Sequence, residues 1–65
     1  MTFQSMLSSF IGRIVEVFVP GSLFEGTLTS VRTSAIQVTE PPIVYSQPVV
    51  VTIPTDNIEY VRVLL

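Results

Sequence analysis

Apolar residues are too numerous in this chain for one small core to hide them all. Of 65 residues, 48% are hydrophobic and only 12% are charged, whereas an ordinary globular domain has about a quarter of its residues charged. A domain of this size buries only about 60% of the surface its unfolded chain exposes, so burial and ordering entropy nearly cancel and a further source of stability is needed. Disulfides are excluded because cysteine is absent, and a zinc site would lack both thiolate and imidazole because histidine is absent too. Self-association is the remaining sink for the apolar surplus. One domain, spanning 1–65, is all that fits.

The charged residues exclude more than they suggest. Five acids (Glu16, Glu25, Glu40, Asp56, Glu59) against three arginines (Arg13, Arg32, Arg62) leave a net charge of −2. No basic field exists to attract phosphate backbones or an anionic membrane, so neither nucleic acid nor membrane is an expected partner. No motif sets two acids together, and histidine and cysteine are missing as their usual companions. The chain therefore offers no base and nucleophile pair, and no enzyme activity, catalytic residue, cofactor or metal is expected. The glutamates read as solvated strand faces, and the arginines as cross-strand partners of Glu16 or Glu59. No run of ~18 apolar residues is long enough for a spanning helix. No cationic residue precedes Arg13 as a secretory signal requires, so cytoplasmic synthesis is the expectation.

Along the chain the hydrophobic period changes once. Phe3, Met6, Leu7, Phe10 and Ile11 fall on one stripe of a helix, predicted over about 3–11, with Thr2 as N-cap and Gly12 as a left-handed terminator. Its other side holds Gln4, Ser5, Ser8 and Ser9 in place of the basic face of a membrane-surface helix, so the stripe suits core or interface packing. Beyond Gly12 the period is two. Val15, Val17 and Val19 alternate with Ile14, Glu16 and Phe18, and the same logic predicts strands over about 13–19, 23–31, 35–39, 48–53 and 58–64. Pro20 to Ser22, Arg32 to Ser34 and Pro54 to Asn57 supply turns. Gly26, inside the second strand, predicts a sharp bend or bulge where the sheet curls. The expected fold class is mainly β, a short N-terminal helix followed by a five-stranded, strongly bent antiparallel barrel.

Two segments stand out as interaction surfaces. Strand four is apolar on both faces, with Val49, Val51 and Ile53 against Val50, and the last strand sets Val61, Val63 and Leu65 against Tyr60 and Leu64. Strands hydrophobic on both faces are covered on both faces. The proline-bearing stretch from Pro41 to Pro48 contains Ile43, Val44 and Tyr45, a candidate partner loop if no other surface of the chain covers it.

The order of helix, Gly12-x-x-Val15-x-Val17, turn, Phe24-x-Gly26-x-Leu28-x-x-Val31, Ile36-x-Val38, Ile53-Pro54 and Ile58-x-x-Val61 resembles the Sm-like (LSm) fold along nearly the whole chain. More narrowly it is similar to the small Sm-like proteins of spore-forming Firmicutes, themselves similar to the leading domain of the spore coat protein CotB. The resemblance implies a homo-oligomeric ring, a hexamer or heptamer that stacks or joins a larger layer with other coat proteins on the spore surface. It implies that strand four of one subunit pairs with strand five of the next, giving an interface of Val49, Val50, Val51, Thr52 and Ile53 against Glu59, Tyr60, Val61, Arg62 and Val63. RNA-binding members carry an acidic residue and an asparagine at the turn between strands two and three, and a basic pair before strand five. Here those turns read Val31-Arg32-Thr33-Ser34-Ala35-Ile36 and Pro54-Thr55-Asp56-Asn57. The expected function is accordingly a structural, self-assembling protein, and the alternative is an Sm-like RNA-binding regulator.

Overall fold

The computed structural model describes residues 2–41 and 47–64. A short helix α1 (Phe3–Ser8) precedes strands β1 (Ile14–Val19), β2 (Ser22–Val31), β3 (Ala35–Glu40), β4 (Val49–Pro54) and β5 (Tyr60–Leu64), with a 3-10 turn at Thr55–Asn57. The strands form a single antiparallel sheet in the order β4-β3-β2-β1-β5. Chain neighbours therefore pair as hairpins across the first four strands, and β5 returns to the far side of β1. The five antiparallel strands expected of a bent barrel are present as a sheet that is not closed, with β4 and β5 unpaired to each other within the chain. Both remain edge strands of an open sheet.

Local chemistry explains where the elements start and stop. Thr2 caps α1 through a reciprocal pair: its hydroxyl accepts from the Ser5 amide at 3.0 Å and its own amide donates to Ser5 Oγ at 3.0 Å, satisfying amides that a helix start leaves orphaned. The helix ends at Ser8 rather than near residue 11, because the following amides tighten: Ser9, Phe10 and Ile11 donate to the carbonyls of Met6, Leu7 and Ser8. The Ser8 and Ser9 hydroxyls also bond back to the Gln4 and Met6 carbonyls, the local competition that makes serine a poor helix interior. Gly12, at φ 96°, closes this tightened turn, a conformation that costs other residues a Cβ clash. Between β1 and β2, Pro20 precedes Gly21 at φ 78°, the proline-then-glycine arrangement of a type II turn.

One face of the sheet holds the core. Leu7, Val15, Val17, Leu28, Ile36, Val38 and Ile53 are buried, with Phe10, Phe24, Val51, Val61 and Val63 packed partly against them. Of the predicted helical stripe only Leu7 is buried and Phe10 half-buried, while Phe3, Met6 and Ile11 stay exposed. The early end of the helix is the reason: six helical residues make less than two turns at 3.6 residues per turn, too few to align the five on one side.

Of the bend or bulge expected at Gly26, the bulge lies further on. The register of β2 against β3 shifts between Leu28 and Ser30, leaving Thr29 as the extra residue and increasing the local twist. Gly26 has a different task. A Cβ there would run into the Thr39 carbonyl oxygen and lie 2.9 Å from Val38 Cγ1, so glycine permits β3 to fold tightly over β2.

Candidate functional site

The features that set this molecule apart from an ordinary small domain are its two free sheet edges. β4 bonds to β3 and β5 to β1, and among the described residues neither has a strand on its other side. An open edge presents a row of unmet amides and carbonyls, a template for another strand. Exposed apolar side chains crowd these edges: Val49 is 53% exposed, Val50 58% and Tyr60 57%.

Which backbone groups remain free follows from the ladder geometry. In an antiparallel pair, residues alternate between those whose amide and carbonyl point to one neighbour and those that point to the other. The Thr55 amide donates to the Ser34 carbonyl at 2.9 Å, one step beyond the Ala35–Pro54 pair. This places Val49, Val51 and Ile53 in bonded contact with β3 and turns Val50, Thr52 and Pro54 outward. On the other side, the Leu28 amide donates to the Arg13 carbonyl at 2.9 Å, so the odd residues of β1 face β2 and its even residues face β5. Ile14, Glu16 and Phe18 pair with Leu64, Arg62 and Tyr60, which leaves Val61 and Val63 facing outward on β5.

Side chains follow the same alternation. On the face away from the core a single row crosses the sheet from Val50 through Thr39, Thr27 and Ile14 to Leu64. It is apolar at both rims and polar at the centre. A second row joins Tyr60, Phe18 and Leu23, and the rings of Phe18 and Tyr60 stack with centroids 4.1 Å apart. A third joins Arg62, Glu16 and Glu25, where Arg62 Nη1 lies 3.6 Å from Glu16 Oε1. Arg62 is 68% exposed and Glu16 18%, so solvent screens the pair and it contributes only a few tenths of a kcal/mol.

Beneath β4 the open side of the sheet forms a cleft of about 430 Å³ lined by Val19, Pro20, Phe24, Val51, Ile53 and Asn57, among others. Of the described residues that line it, six are apolar, two (Thr52 and Asn57) are polar and none is ionisable. Among the described residues no three of the aspartates and glutamates gather as metal ligands, and no helix is long and apolar enough to cross a membrane.

The ten interface residues expected from sequence thus fall on the two edges but divide in use. Val49, Val51, Ile53, Tyr60 and Arg62 already spend their backbone groups within the sheet. Val50, Thr52, Val61 and Val63 do not. Glu59 donates its amide to the Phe18 carbonyl at 2.7 Å, so Phe18 faces both Glu59 and Tyr60 and the strand begins with a local irregularity. Ile43, Val44 and Tyr45, the candidate partner loop, lie outside the described residues. What sequence reasoning missed is the Phe18–Tyr60 stack, since no local pattern announces which strand will lie beside β1. Searches of family models, curated proteins and solved structures find no match to this chain.

Proposed function

We propose that this protein is a non-enzymatic structural subunit, Sm-like in architecture, that assembles into a homo-oligomeric ring by adding β5 of one copy to β4 of the next. The supporting observation is the pair of open, valine-rich edges at opposite ends of one sheet. Strand addition would satisfy their unmet backbone groups and cover apolar surface in one step. The two edges belong to the same chain but are different surfaces, so contact between copies is head-to-tail, and head-to-tail contacts close into rings when the rotation per subunit allows. The cleft beside β4 supports the same reading, because a neighbouring strand would bring valines against Phe24, Val51 and Ile53. Deposition in a spore coat follows from the resemblance in sequence.

Light scattering of the purified protein at micromolar concentration tests the proposal. A mass that is a fixed multiple of 7.2 kDa is expected, and a monodisperse monomer would exclude it. Val50→Lys should dissociate the assembly while leaving the monomer folded, within about 0.5 kcal/mol, because its side chain is exposed in the isolated subunit. Tight, salt-dependent binding of a short uridine- or adenine-rich oligonucleotide would replace this reading with an RNA-binding one.

A further inference from the structure

Apart from its rims, the sheet has a second surface on the face of β1 and β5 turned away from the core. Three rows of two cross that strand pair: Phe18 beside Tyr60, Glu16 beside Arg62, and Ile14 beside Leu64. Tyr60 is 57% exposed, Ile14 50% and Leu64 36%. The outer rows are apolar and the middle row is an ion pair, in which Arg62 stays 68% exposed and has donors to spare. Sheets that pack face to face keep their strands nearly aligned, so a second copy can meet this face about a two-fold axis along the strands or across them. The charges choose among these axes. An axis across the strands through the middle row sets Arg62 against Arg62 and Glu16 against Glu16, and moved off that row it lays the charges on apolar side chains or takes them out of the contact. An axis along the strands opposes Glu16 to itself when it lies over β1, and Arg62 to itself when it lies over β5. Between β1 and β2 it opposes Glu16 to Glu25, its register partner there. Only between β1 and β5 does it oppose unlike charges throughout.

We infer that this face pairs with the same face of a second copy about that axis. Tyr60 of each copy lies over Phe18 of the other, Leu64 over Ile14, and Arg62 reaches Glu16 across the contact. A foreign surface would need matching apolar, charged and apolar rows, and a second copy has them by identity. The six residues carry no net charge although the whole chain carries −2, so the copies do not repel where they touch. Sliding is excluded as well, because a shift along the axis would destroy the two-fold and leave a contact that does not close. The pairing goes beyond the ring and does not rest on it: it uses side chains that stand out from the sheet, whereas strand addition uses backbone groups in the sheet's own plane. Six side chains are far fewer than the roughly 20–30 residues a side of a standard interface, so single copies pair weakly.

Sedimentation of Val50→Lys, whose rim is blocked, tests the face alone. As its concentration is raised to about 1 mM, its mass is expected to climb from 7.2 kDa toward twice that value. Arg62→Glu and Glu16→Arg, each added to that background, make the middle row all acidic or all basic. Each alone should stay monomeric, and an equimolar mixture of the two should recover the dimer, which an ion pair within one chain cannot bring about. Circular dichroism reports whether each variant is folded. If a charge variant unfolds, Tyr60→Ala in the same background decides in its place: it removes an exposed ring and should hold the mass at that of the monomer with the fold intact. Dimers formed by either charge variant alone or by the Tyr60→Ala protein, a mixture of folded charge variants that stays monomeric, or a Val50→Lys protein that never leaves the monomer mass would overturn the face pairing, whatever the wild-type mass says of the ring. A wild-type mass that stops at the dimer and does not respond to Val50→Lys would instead overturn the ring and leave the face pairing standing.

Discussion

Val15 and Val17 on β1, an interior strand of the sheet, are fully buried, while Val49 and Val50 on the edge strand β4 are more than half exposed. Residue type and strand propensity are the same in both places. Two things differ: β1 has a strand on either side and β4 has one, and Val50 lies on the face away from the core, where Ile14 of β1 is itself 50% exposed. Hydrophobic stabilisation scales with area removed from water, so the central valines stabilise the monomer and the rim valines stabilise whatever covers them. The centre of this molecule is a completed core and its rims are half of one.

That contrast can be broken at the centre with the largest effect. Leu28→Ala empties a fully buried site and should cost about 2–5 kcal/mol. In a domain this small that leaves little folded protein, as a urea titration followed by circular dichroism would show, whatever the oligomeric state. Gly26→Ala is next. Its new methyl meets the Thr39 carbonyl, a backbone atom that cannot swing aside, and a loss of about 1–3 kcal/mol is expected in the same titration.

Thr2→Ala removes the reciprocal cap of α1 and should cost about 1 kcal/mol, seen as a small drop in the denaturation midpoint with the sheet intact. Arg62→Ala sharpens the comparison from the other side. It deletes an ion pair on the β5 rim and should change monomer stability by less than about 0.5 kcal/mol. A larger change in a dilute, monomeric sample would mean that the rim contributes to the fold as the centre does.

Much of the fold was readable because it is local. Thr2 as a cap, Gly12 and Pro20-Gly21 as turns, and the alternation of Val15, Val17 and Val19 all depend on residues within a few positions of each other. The helix is shorter than its stripe predicts, because the spacing is right yet the Ser8 and Ser9 hydroxyls compete for the Gln4 and Met6 carbonyls. Gly26 stands out in the sequence as a bend or a bulge, but which of the two was not legible, since the bulge falls at Thr29 and the carbonyl that Gly26 makes room for belongs to Thr39, thirteen residues on. Half of the candidate site was legible in the same way: the valine content of strands four and five marked them as needing cover. Which residues within them keep free backbone groups was not, because that parity is set by partner strands.

Sequence by itself determined the kinds of element, their order, and a surplus of apolar surface with too little charge to keep it wet. These follow from side-chain chemistry and short-range sterics. Only the tertiary structure decided that the sheet stays open, that β4 and β5 are its rims, and that Thr29, not Gly26, is the bulged residue. Those outcomes depend on pairing between segments far apart in the chain, where hydrogen-bond register and close backbone approach, rather than local preference, select the arrangement.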